Sequence, residues 1–283
     1  MNFLLPIIAA VLQASSFTID KVILSFRKVD FKVYLGISFV LIFLINGIIF
    51  LLFQPPFSLA LFANYNWLLI LISIGLIILT NFIFYWVLNH EHLGEMQTLS
   101  LLAGIPVILI SSFFFTSERQ PTIVIPALIA LLAVVWSHWE HHHFQIARRS
   151  ALFLLWSFSV APVGVILSKT LLATWNPISL ELVRSGVIAC LLTPFLYRGY
   201  RGAEGSAGGL LLITNILTSV ASLLIYFGYQ RLGIVYTTLL FSIQPLLVYF
   251  ASVWFLREHW QWKKGIAFFI VVGSITFAQL LGR

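Results

Sequence analysis

Between Leu232 and Leu256 the chain places no charged residue, and nine other stretches read almost as apolar. A hydrocarbon core about 30 Å thick needs about 20 consecutive apolar residues per helix. Runs of that kind fall at 3–24, 32–53, 66–89, 94–116, 121–138, 149–172, 177–197, 208–230, 233–256 and 262–281. Their continuity speaks against membrane β-strands, whose segments of about ten residues alternate apolar with polar. An all-α integral membrane protein of ten transmembrane helices is the expected fold class. Composition agrees: 60% of the 283 residues are hydrophobic and 9% are charged, with a mean hydropathy of +1.02. A soluble domain carries about a quarter charged residues, so that class is excluded. The net charge of +7 could suggest nucleic acid, but the basic residues sit in short links between apolar runs, as juxtamembrane residues do. Cys190 is the single cysteine, so no intramolecular disulfide can form. The first run lacks a basic flank before it and is expected to be a retained span.

The chain also repeats itself. Leu93-Gly94 and Leu232-Gly233, Thr98 and Thr237, Leu101 and Leu240, and Pro106 and Pro245 all stand 139 positions apart. One inserted residue later, Ser112, Phe115 and Glu118 correspond to Ser252, Phe255 and Glu258. Upstream, "DKVIL" from Asp20 matches "SKTLL" from Ser168, which sets Lys21 against Lys169. The division expected is 1–147 and 148–283, two five-helix repeats joined in one membrane domain. An odd number of spans sends the second repeat in from the opposite side, so the copies are inverted about an axis in the membrane plane. Inverted repeats are common in secondary transporters, where one packing mode used twice gives two openings of similar energy. Proline removes a backbone donor and disturbs the preceding helical turn. Pro106 and Pro245 are therefore expected hinges, bending the fourth and ninth spans alike. Gln244, beside Pro245, stands opposite Ile105 and breaks the symmetry.

Ten spans in two five-helix repeats, a lysine near the end of the first span, and the G…P…E pattern resemble the EamA-like drug/metabolite transporters. The positions carrying that resemblance are Lys21, Gly94, Pro106, Glu118, Gly233, Pro245 and Glu258. It implies a central cavity between the repeats, alternating access and metabolite export. Four-helix multidrug members use a glutamate midway along the first helix. Here Gln13 is the nearest polar group, and an amide cannot cycle a proton. With the intramembrane candidates Lys21, Lys169 and Arg184 set aside, Lys and Arg divide ten against three between the two sides. The richer side, holding Arg27, Lys28, Lys32, Arg148, Arg149, Arg198, Arg201, Arg257, Lys263 and Lys264, is expected to be cytoplasmic. Both termini would then lie outside, opposite to the family's usual arrangement.

Charged groups within spans cost several kcal/mol, about 2.5–3.5 on insertion scales, and are functional candidates by default. Lys21, Lys169, Glu181 and Arg184 are such groups. Lys169 and Glu181 stand equidistant from the turn near Trp175 and are expected to face each other, as a headgroup-zone ion pair. Alternatively Lys21, Lys169 or Arg184 binds an anionic substrate group. Deeper neutral candidates for substrate contact are Gln13, Ser16, Asn81, Thr98, Ser159, Asn215, Thr238, Ser242 and Gln244, with Tyr226 as an aromatic wall. Ser and Thr can satisfy themselves on the i−4 carbonyl, and buried amides can serve as interhelical glue. The cluster His138, His141, His142 and His143 has a metal-binding reading and a solvated-linker reading. Neither a metal nor a cofactor is expected.

The function these features favour is a secondary active transporter of a small polar or amphipathic metabolite, amino-acid-like or related, working as an exporter. Its partners would be that substrate, membrane lipid, and a proton or counter-substrate, with no nucleic acid. The location expected is a cell membrane, the prokaryotic inner membrane foremost. A channel or scaffold is the alternative. A membrane-embedded enzyme fits least, because "HEH" at 90–92 lacks metalloprotease spacing and no carboxylate pair lies mid-span.

Overall fold

The computed structural model describes residues 2–25, 30–90, 103–137, 148–198, 205–255 and 262–281. Its α-helices are α1 (Leu4–Ser25), α2 (Phe31–Phe53), α3 (Asn66–His90), α4 (Gly104–Phe114), α5 (Pro121–Ser137) and α6 (Arg148–Leu172). They continue with α7 (Pro177–Leu192), α8 (Gly205–Arg231), α9 (Ile234–Phe241), α10 (Gln244–Phe255) and α11 (Trp262–Leu281). Among the described residues no strand forms. Six helices are long and apolar enough to cross a membrane, and the shorter ones are apolar too. The chain is a multi-pass membrane protein. Gly94, Thr98, Glu258 and the histidines at 138, 141, 142 and 143 lie outside the described residues.

Local chemistry sets several helix ends. Asp30 caps α2, its carboxylate accepting the Lys32 N–H at 3.0 Å. Asn176 caps α7 by accepting from Ile178 N at 2.9 Å, with Pro177 in the first turn, where its missing N–H costs nothing. The ninth apolar run is broken. Helix α9 ends at Phe241, the Ser242 N–H reaches the Thr238 carbonyl at 3.0 Å, and α10 starts at Gln244. Pro245 has no N–H to offer Phe241, so the ladder stops there. In the fourth run α4 begins at Gly104, two residues before Pro106.

Helix α1 packs most extensively on α8, α5 on α11, α2 on α7 and α3 on α6; α1 also meets α10, and α4 meets α6. Between lipid-solvated helices no hydrophobic driving force operates, so close approach and polar contacts decide pairing. Accordingly α1 buries Ala9, Ala10, Ala14 and Ser16, small enough for α8 to come near. There Ser16 Oγ lies 2.8 Å from Thr214 Oγ1 and 2.6 Å from Thr218 Oγ1. The apolar interior falls into two cores. One joins α1, α2 and α3 to α6, α7 and α8, with Val248 of α10, and the other joins α4 and α5 to α9, α10 and α11. Leu52, Phe113, Phe269 and Leu280 are each over 70% exposed, which fits a lipid-facing perimeter.

Candidate functional site

A cavity of about 310 Å³ opens between α3, α6 and α8. Its apolar wall includes Leu76, Ile77, Val160, Val165 and Ile225, and its polar groups include Thr80, Asn81, Ser157 and Tyr229. Trp156 crosses it, its indole N–H donating to Thr80 Oγ1 at 3.0 Å. A smaller space of about 140 Å³ shares Ala161, Val165, Ile225 and Tyr229 with it and reaches α4 and α9 at Gly104, Thr237 and Thr238. The two spaces together lie where the two apolar cores meet.

Arg184 of α7 lies behind this cavity, 1% exposed. Its guanidinium donates through Nε to Ser73 Oγ (3.0 Å), through Nη1 to Tyr226 OH (3.2 Å) and through Nη2 to Ser168 Oγ (3.3 Å). All three acceptors line the cavity, and the guanidinium carbon sits 5.6 Å from the Tyr226 ring centroid. A hydroxyl has one proton and two lone pairs. Ser73 gives its proton to the Ile70 carbonyl at 2.7 Å. Ser168 and Tyr226, whose lone pairs face the cation, also hydrogen-bond each other, so one hydroxyl proton of the pair is left to point into the cavity. Glu181, three residues earlier on α7, leaves Oε2 without a hydrogen-bond partner, and among the described residues no carboxylate comes within 4 Å of Arg184. The result is a positive charge delivered through hydroxyls to an amphipathic pocket.

Lys169 does not face Glu181. Its ammonium is ion-paired with Glu118, on the link between α4 and α5. The expected pairing fails because α6 and α7 touch little: α6 packs on α3 and α7 on α2. Glu118 also accepts from Ile234 N at 2.8 Å and Val235 N at 3.1 Å, taking two of the orphan donors that open α9. Gly233, at φ 91°, lies so close that a Cβ would stand 2.6 Å from Glu118 Oε1. This contact clasps the first half of the chain to the second.

The other candidate residues separate clearly. Asn81, Tyr226 and Thr238 line the cavities, although the Asn81 amide also donates to the Ile77 carbonyl at 2.8 Å. Ser16 bridges α1 to α8, and Asn215 donates to Leu211 O (2.7 Å) and toward Ser38 Oγ (3.5 Å); both act as interhelical glue. Ser242 closes on Leu239 O within the break. Lys21 donates to Leu88 O at 2.7 Å. Gln13 and Gln244 are buried, and Gln244 Nε2 has no partner. Ser159 is the correction: it is exposed on the lipid side and bonds its own Leu155 carbonyl at 3.0 Å, while Ser157, two residues away, lines the cavity. Replacing Ser159 with alanine should change detergent stability by no more than about 0.5 kcal/mol, which a thermal melt checks.

Sequence reasoning missed Ser73, Thr80, Trp156, Ser168 and Tyr229. A signal existed for Trp156, a tryptophan well inside a span and away from the interfacial belt where the residue is enriched. The serines gave none, since serine within a helix is ordinarily self-satisfied.

Residues 149–279 match the family model described as the EamA-like transporter family. No curated protein matches the chain. A solved structure described as the crystal structure of a protein is 18% identical, superposes with a TM-score of 0.78, and covers 99% of this chain and 98% of that one. At that identity the likeness concerns the fold.

Proposed function

We propose that the protein is a secondary transporter of the drug/metabolite transporter kind for a small amphipathic metabolite bearing a carboxylate, a reading supported by the match of residues 149–279 to the EamA-like transporter family. The observation that carries this reading is the cavity whose hydroxyls of Ser168 and Tyr226 are polarised by Arg184. A carboxylate accepts hydrogen bonds only, so it is the complement of such donors. The apolar wall and Trp156 suit an amino-acid-sized side chain. About 310 Å³ lies at the small end of ligand pockets, which disfavours a large drug.

The two halves, 1–147 and 148–283, work as inverted repeats. The packing supports this: exchanging α1–α3 with α6–α8, and α4–α5 with α9–α11, turns the pair α1·α8 into α6·α3 and the pair α1·α10 into α6·α4, and leaves α2·α7 and α5·α11 unchanged. Transport proceeds by alternating access, with Pro106 and Pro245 as hinges and the Glu118 clasp closing one side. Export, driven by a proton or a counter-substrate, and a prokaryotic inner membrane with both termini outside complete the reading. Purified protein in proteoliposomes should move radiolabelled phenylalanine or leucine with saturation, and should move neutral sugars poorly. Absence of saturable flux for every carboxylate in a panel of amino acids and small organic acids would overturn the proposal.

A further inference from the structure

Asp20 lies in α1, 1% exposed, and the transport site does not include it. Its Oδ1 accepts from Tyr34 OH at 2.5 Å and from Thr214 Oγ1 at 2.5 Å, and its Oδ2 accepts from Tyr85 OH at 2.9 Å. The donors come from α2, α8 and α3, so one carboxylate ties together four helices drawn from both halves. Among the described residues no Lys, Arg or His nitrogen lies within 4 Å of it. A buried carboxylate held only by neutral hydroxyls is expensive in a membrane, and a purely structural knot would be cheaper with an amide.

The Arg184 cluster has the same construction. Ser73 and Thr214 stand 141 positions apart, as do Tyr85 and Tyr226, and Ser168 holds the place of Asp20 in the "DKVIL" and "SKTLL" match. On one side α1, α2, α3 and α8 contribute Asp20, Tyr34, Tyr85 and Thr214. On the other, α6, α7, α8 and α3 contribute Ser168, Arg184, Tyr226 and Ser73. The two clusters draw on corresponding helices, share a tyrosine and a small hydroxyl, and are opposite in charge. The cationic one adjoins the cavity and suits an anion, so the anionic one suits a cation.

We infer that Asp20, held by Tyr34, Tyr85 and Thr214, is a proton-binding site of this protein. As the seat of a coupling proton it rests on the transport reading above. The cation is a proton because the carboxylate is already closed on three hydroxyls at 2.5–2.9 Å, with no room left among them for a metal ion and its oxygen shell. In the binding step a proton arriving from water forms an O–H bond on Oδ2, and the group becomes neutral. Oδ2 then donates, so the Tyr85 hydroxyl turns to accept from it and Tyr85 ceases to be a donor. Oδ1 keeps Thr214 and Tyr34. The charge that held α3 is thereby removed while α1 and α8 stay joined, which changes the relation of the helices that wall the cavity.

Other charged and titratable groups on the neighbouring helices do not intervene. Lys21 turns to the Leu88 carbonyl, the His90 ring lies against the Trp86 carbonyl, and Arg231 of α8 reaches Asn2. On α8 Tyr226 serves Arg184 and packs against Tyr229. On α9 Tyr236 packs in the other core, and on α2 Lys32 lies over the Phe31 and Phe82 rings.

Infrared difference spectroscopy of the full chain in lipid, with the proton itself as probe, tests the site without any substrate. The wild type should show a carbonyl stretch of a protonated carboxyl that grows on acidification, and Asp20→Asn should lose it. Tyr34→Phe and Tyr85→Phe, which keep the carboxyl but remove a hydrogen bond, should move the band to higher wavenumber. These two variants decide the matter if Asp20→Asn does not fold. A band unchanged in every variant, or no such band at any pH, would overturn the inference, since a structural carboxylate stays ionised. Loss of transport alone would leave the band in place, so the two failures are distinguishable.

Discussion

Replacing Arg184 with glutamine should raise the KM for phenylalanine about 10- to 100-fold. Hydrogen bonds involving a charged group contribute about 1.5–3 kcal/mol, and each 1.4 kcal/mol is about tenfold in affinity. The effect passes through the hydroxyls: without the cation, the hydrogen-bonded pair Ser168 and Tyr226 loses the group that holds its lone pairs and leaves a proton for the cavity. Arg184→Lys should fall between wild type and glutamine, because a lysine keeps the charge but not the planar fork that serves three acceptors at once. Stability moves separately. Glutamine also takes away the cation whose field reaches the half-buried Glu181 beyond hydrogen-bonding distance, and removing one member of such a charge pair is destabilising in general. The double variant Glu181→Gln with Arg184→Gln removes both charges and should regain detergent stability while transport stays lost. Recovery of transport in that double variant would show that Arg184 acts only as a structural ion.

The second large effect is expected at Gly233. Alanine there would set its Cβ 2.6 Å from Glu118 Oε1 and 2.8 Å from Oε2, in a backbone conformation that L side chains rarely adopt. Glu118 cannot swing aside cheaply, since Lys169 and two backbone N–H groups hold it. Backbone strain of about 1–3 kcal/mol adds to the weakened clasp, so Gly233→Ala should melt well below wild type in detergent. Glu118→Ala should do so too, by leaving a lysine and the opening donors of α9 unpaired. The two substitutions should be less than additive, because without the carboxylate the alanine meets no obstacle and only the backbone strain remains. A double-mutant cycle read by thermal melts measures this coupling. Strict additivity would mean that Gly233 and Glu118 act independently.

Most of the fold was legible because a bilayer imposes a length and an apolar continuity that the chain must display. The runs at 32–53, 66–89 and 149–172 became α2, α3 and α6 within a residue or so. Pro245 marked the break in the ninth run for a local reason, the missing N–H. Contacts between helices were harder to read. The pairing of Lys169 with Glu181 assumed that consecutive helices pack as a hairpin, but α7 lies on α2 and α6 on α3. Arg184 and Tyr226 stood out as a charge and an aromatic hydroxyl within spans. Ser73 and Ser168 did not, because their partners depend on which helix comes alongside. Asn215 and Ser16 had the chemistry of a binding site and serve instead to join helices.

Gly164 reports on alternating access of the α3–α6–α8 cavity. It lines the cavity, and a Cβ there meets nothing within 4 Å, so cysteine fits. With Cys190, the only native cysteine, changed to serine, Gly164→Cys should react with a membrane-impermeant maleimide from either side of the membrane. Phenylalanine should slow the labelling. Labelling from one side alone under every condition, with or without phenylalanine, would contradict the account.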